Sequence, residues 1–91
     1  MDRIKKRGLV EQIVRTSKQL GAAIRRRRRI LKLSQQKVGD RIRLRQATIS
    51  ALENGRPGIR MRTLLDVMTA LGLEIVVRER STIGKDIEEI F

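Results

Sequence analysis

Arg25 to Arg29 are five arginines in a row, a run longer than one 3.6-residue helical turn. The segment holding them is periodic: Leu20, Ile24 and Leu31 share one helical face and Thr16 or Ser17 can cap it, which predicts a helix over 18–32. A helix there cannot keep all five guanidinium groups in water. Arg27 and Arg28 fall at or beside the apolar face, whereas Arg25, Arg26 and Arg29 read as a solvated charged face. Arg28 therefore needs an inward partner, because an unpaired buried guanidinium costs several kcal/mol.

Downstream, Ser34 is a cap for a short helix over 35–42, with Val38 and Ile42 one turn apart and no capping box because Lys37 occupies the third position. Arg43, Leu44 and Arg45 connect it to a second short helix, 46–54, whose Ile49 and Leu52 face inward and which Gly55 stops. Asn54 to Gly58 holds two glycines and the only proline, a loop. Met61, Leu64, Val67, Met68 and Leu71 then form an apolar stripe over 60–71, with Gly72 at the left-handed exit; the methionines read as core filler.

The segment 73–80 changes character. Leu73, Ile75, Val76 and Val77 favour a β-strand, and a lone strand in a helical chain has no partner, so pairing with the same strand of a twofold-related copy is expected. The predicted organisation is a basic extension over 1–16, in which Leu9, Val10, Ile13 and Val14 suffice for about two helical turns; a helical domain over 17–72; the dimerisation strand 73–80; and a tail over 81–91. The tail carries Asp86, Glu88 and Glu89 beside Ile83, Ile87, Ile90 and Phe91, a pattern that fits either a frayed end or docking on another protein.

Charge points to a partner. The chain has a formal net charge of +12; residues 1–45 carry 16 basic and 3 acidic groups (+13) and residues 46–91 carry 6 and 7 (−1). A one-sided basic field suits a polyanion, since neutralising phosphates releases condensed counterions. Phe91 is the only aromatic residue, which argues against a membrane-surface helix with aromatic anchors and against base-stacking modules. Double-stranded DNA fits better, with a merely solubilising charge as the plainer alternative. Histidine and cysteine are absent, removing the commonest base and the usual metal and thiol ligands. Ser34, Ser50 and Lys37 lack an orienting third group. No enzyme, cofactor, metal or small-molecule substrate is expected. No leader or membrane-length apolar run is apparent, so the expected location is cytoplasmic, on the nucleoid when DNA is bound.

Two short helices joined by three residues have the spacing of a helix-turn-helix, whose second helix enters the major groove. With Ile49 and Leu52 inward, that helix presents Ala47, Ser50, Ala51 and Asn54 outward, small groups that allow close approach to base edges. Gln46 can bond adenine with donor and acceptor together, Ala47 can meet a thymine methyl, Arg45 can reach guanine or phosphate, and Ser50 a base edge or phosphate. The amides near Gln35 favour a phosphate. Arg25 and Arg43 are further basic candidates for the DNA backbone.

The stretch LSQQKVGDRIRLRQATISALENG, Leu33 to Gly55, resembles the lambda-repressor/Cro-like (XRE) helix-turn-helix family. RQATIS, LENG and LGLEIVV look closest to HipB-type antitoxins, which pair with HipA-type kinases. The resemblance covers about residues 18–80. It implies an all-α, five-helix DNA-binding domain, a homodimer reading an inverted-repeat operator, and repression of the operon encoding itself and a HipA-like kinase toxin that it binds and neutralises. A repressor of the same family without a toxin partner is the alternative. It also implies roles at DNA for Gln35, Arg45, Gln46, Ala47, Thr48 and Ser50, and an ion pair between Arg28 and Glu53. Glu53 suits that pairing independently, as the only carboxylate between Asp40 and Asp66 and a neighbour of Ile49 and Leu52 on the inward arc. Pairing of C-terminal strands across the dimer and docking of the tail end, Ile87, Ile90 and Phe91, in the kinase are further implications. Three residues depart from the family pattern: Arg43 stands where a turn glycine is usual, which disfavours a left-handed turn; Gly39 replaces an alanine; and Arg27 replaces a leucine-like core residue, leaving its stem on the core and its head in solvent.

Overall fold

A computed structural model describes residues 11–80. They form four helices, α1 Ser17–Ile30, α2 Gln35–Ile42, α3 Gln46–Glu53 and α4 Met61–Ala70. Thr16 caps α1 by accepting from the Gln19 amide at 3.0 Å, and Ser34 caps α2 by accepting from the Lys37 amide at 3.0 Å. Ile24, Val38, Ile49, Leu52, Val67 and Leu71, drawn from every helix and the exit of α4, close one core, with Leu20, Leu33, Ile42, Leu44, Ile59, Leu64 and Leu73 packed around it.

The described residues depart from the sequence reading in four places. The described residues hold four helices and not five: residues 11–15 lie outside any helix, ahead of the Thr16 cap, with Ile13 exposed. Residues 73–80 form neither helix nor strand. A β-ladder needs a second backbone to accept its N–H groups, and the described part of one chain offers none; Val77 is 93% exposed. Leu31 does not join the core stripe. The helix ends at Ile30, Lys32 turns left-handed (φ 58°), and the Leu33 amide bonds back to the Arg28 carbonyl at 3.1 Å, so Leu33 packs inward in its place. Met61, at the first turn of α4, is likewise exposed, while Val67, Met68 and Leu71 carry the buried stripe.

The turn between α2 and α3 decides the angle of the functional helices. Arg43 adopts the left-handed conformation (φ 59°, ψ 42°) despite its side chain, and the Leu44 amide bonds to the Gly39 carbonyl at 2.8 Å. The chain folds back so closely that a Cβ on Gly39 would collide with the Leu44 carbonyl oxygen. Glycine is thus required inside α2, and the arginine carries the strain at the turn, roughly 1–2 kcal/mol for a non-glycine residue. Arg43→Gly relieves that strain but adds freedom to the unfolded chain worth roughly 0.4–1 kcal/mol. A net gain of up to about 1.6 kcal/mol is expected, read as a higher urea midpoint; a lower midpoint would show that the arginine makes compensating contacts.

Candidate nucleic-acid interface

Ile49 and Leu52 seat α3 against the core, with Glu53 beside them. That registration leaves Gln46, Ala47 and Asn54 exposed and Ser50, Ala51 and Thr48 half-buried. The outward row has no side chain longer than asparagine after Gln46. Arg45 is the N-cap residue of α3 but makes no side-chain cap, and both it and Arg43 are exposed, so the turn places two cations beside the start of the low-profile face.

A buried polar cluster holds this face in place. Arg28 donates to both oxygens of the Glu53 carboxylate, Nε to Oε2 at 2.6 Å and Nη2 to Oε1 at 3.0 Å, and its Nη1 donates to the Leu33 carbonyl at 2.8 Å. The paired geometry satisfies the fork of the guanidinium and the carboxylate together. Two more groups converge on Glu53 Oε1: Arg25 Nε at 3.3 Å and Gln35 Nε2 at 3.0 Å. Gln35 Oε1 then accepts from Gln46 Nε2 at 3.3 Å, so a chain of bonds runs from the buried carboxylate to the exposed head of α3. Burial pushes the Glu53 carboxyl up, but bonds from Arg28 and Gln35, the Arg28 charge and the Arg25 bond outweigh it and hold the group below the ordinary carboxylate range. The Glu53 bond raises Arg28 against the opposing effect of burial.

Two arginines differ from their sequence reading. Arg25 is not simply solvated: besides Glu53 it reaches Asn54 Oδ1 through Nη2 at 2.9 Å, fastening α1 to the C-terminal end of α3. Its position three residues before Arg28, on the same side of α1, was the available signal. Arg27 is half-buried, and its Nε donates to the Leu71 carbonyl at 2.9 Å, at the end of α4. The head that was expected in water instead satisfies an orphan helix carbonyl. Leu73 packs on the core, whereas Ile75, Val76 and Val77 are exposed. Ile87, Ile90 and Phe91 lie outside the described residues.

Among the described residues no group of acidic side chains is placed to hold a metal, and no helix is long and apolar enough to cross a membrane. A family model described as a helix-turn-helix domain matches residues 19–80. The chain belongs to the helix-turn-helix domain family. The family is a non-enzymatic, DNA-binding one. In its terms α2 and α3 have the arrangement of the two helices of the motif, with Arg43 to Arg45 as the turn. A search of curated proteins finds no match. Among solved structures, the fold is similar to a chain of a HipB–O4 20mer complex, with 25% identity and a TM-score of 0.71 over 76% of this chain and 97% of that one. A chain of a HipA–HipB–O2–O3 complex matches with the same identity, TM-score and coverage.

Proposed function

We propose that this helix-turn-helix protein is a dimeric, sequence-specific transcriptional repressor that also acts as an antitoxin, binding and neutralising a HipA-like kinase and repressing the operon that encodes both. The observation that carries the DNA reading is the outward face of α3: small side chains in its middle, Gln46 at its head and Arg45 beside it. In a solvated surface helix longer charged residues would occupy that row; here the backbone can approach base edges. Gln46 reads a base, Ala47 and Thr48 meet the groove, Ser50 contributes a hydroxyl, Gln35 orients Gln46 and reaches toward the backbone, and Arg43, Arg45 and Arg25 address phosphates.

Dimerisation is assigned to residues 73–80. Exposed Ile75, Val76 and Val77 form an apolar run with no protein cover among the described residues, and pairing with a second copy supplies both the missing backbone partners and apolar burial. A twofold dimer presents two recognition helices to an inverted repeat. The kinase partnership is supported by the likeness to a chain of a HipA–HipB–O2–O3 complex.

Selection of duplexes from a randomised pool by the full chain tests the DNA reading. Gln46→Ala should weaken binding to the selected duplex by about 1–3 kcal/mol while leaving competitor DNA nearly unchanged; equal losses on both would reject base reading by Gln46. For the antitoxin role, a HipA-like kinase should copurify with the intact chain and be inhibited by it. Removing residues 82–91 should weaken both effects if Ile87, Ile90 and Phe91 dock there, and a protein that retains no kinase is a repressor alone.

A further inference from the structure

The polar contacts at the C-terminal end of α3 form a chain whose direction chemistry fixes. Arg25 has only donors, so the Asn54 atom facing its Nη2 at 2.9 Å is the carbonyl oxygen, Oδ1. The amide nitrogen of Asn54 must then point the other way, and it lies 3.4 Å from Ser50 Oγ, one turn back on the same helix. Ser50 Oγ accepts that bond. Asn54 is its side-chain partner among the described residues, so one lone pair of the hydroxyl is occupied, and its proton and one remaining lone pair are left for the groove. Arg25 is itself held, since its Nε donates to buried Glu53.

We infer that Arg25 and Asn54 are positioning residues that bias the hydrogen-bond polarity of the recognition helix, turning Ser50 toward donating to the groove. The inference rests on the DNA-binding reading and adds to it what kind of base edge Ser50 selects. A hydroxyl free to rotate reads donors and acceptors alike. One held as a donor favours guanine N7 or O6, thymine O4 or adenine N7, and disfavours cytosine, whose major-groove edge offers only its N4 donor.

Asn54→Asp reverses the polarity while keeping the contact to Arg25. Aspartate accepts from Arg25 and from the Ser50 hydroxyl, which leaves the Ser50 lone pairs facing the groove. The experiment selects duplexes with the full-length wild type, locates with Ser50→Ala the base pair where discrimination is lost, and measures binding with that base changed to cytosine. The added negative charge weakens binding to every duplex equally, so the readout is the ratio of affinities. Wild type should prefer an acceptor base over cytosine by roughly 2- to 12-fold, the discrimination that one hydrogen bond supplies; Asn54→Asp should erase or invert that ratio, and Ser50→Ala in the same chain should abolish the change. Arg25→Met, which frees the Asn54 amide to flip, should flatten the preference without inverting it, and it serves if Asn54→Asp melts early. A ratio that neither variant moves overturns the inference while leaving DNA reading by Gln46 intact. A wild-type protein that selects no sequence overturns both.

Discussion

Replacing Glu53 with alanine is expected to lower unfolding free energy by about 3–5 kcal/mol and the melting temperature by roughly 12 °C or more. The carboxylate is fully enclosed, with 0% of its side chain exposed, and the Arg28 side chain is 11% exposed. Removing the acid leaves a guanidinium that cannot discard its charge at any accessible pH and that has lost two of its three bonds. Surface ion pairs rarely matter this much. This one does because its loss strands a largely enclosed charge, and because Arg25 and Gln35 lose the same acceptor. A melting temperature that barely moves would show that Arg28 swings into solvent.

Acid should reproduce part of that loss, and the sign follows from the direction of the shift. Glu53 is held below its ordinary range in the folded state, so the unfolded chain takes up a proton first as pH falls. Its stabilisation is complete above the ordinary carboxylate range and is lost as pH drops through the lowered folded value. The stability gap between wild type and Glu53→Ala should therefore stay constant from neutral pH down to that range and narrow below it. A gap that is independent of pH down to strong acid would contradict the ionised pairing.

The second large effect is expected at Gly21, on the opposite side of the same contact. Glycine within a helix ordinarily costs roughly 0.5–1 kcal/mol relative to alanine, so Gly21→Ala would stabilise an isolated α1. In the folded chain a Cβ at this position would meet the Leu52 carbonyl oxygen at 2.5 Å and the Glu53 carbonyl oxygen closer still. Both obstacles are backbone atoms at the end of α3, and neither can rotate away. The clash therefore forces α1 and α3 apart, and a net loss of about 1–2 kcal/mol is expected once the helix gain is subtracted, seen as a lower urea midpoint at unchanged slope. The displacement also carries Glu53 away from Arg28, so the losses from Gly21→Ala and Glu53→Ala should combine to less than their sum. Full additivity would mean that the helix contact and the ion pair are independent.

Much of the interface was legible because it depends on local rules. Serine and threonine ahead of a periodic run announced the caps at Ser34 and Thr16, and the inward pair Ile49 and Leu52 fixed which side of α3 remains outside. Arg28 could be assigned inward by counting residues per turn. Other residues escaped because local periodicity does not register where a helix stops. One left-handed residue, Lys32, exchanged Leu31 for Leu33 in the core. At Arg43 the sequence preference pointed away from a left-handed turn, and the bond from Leu44 to Gly39 imposed it all the same. The β-favouring run at 73–80 is a different case, since its propensity is realised only against a second backbone.

Residue types and their spacing alone determined that this chain makes short helices, that one of them shows small groups outward, and that positive charge is concentrated in residues 1–45. Only tertiary structure decided which acceptor each arginine found. Arg28, Arg25 and Arg27 bond groups 25, 28 and 44 residues away, and such pairings depend on how closely helices approach, a distance set by Gly21 and the packed core and encoded in no single segment.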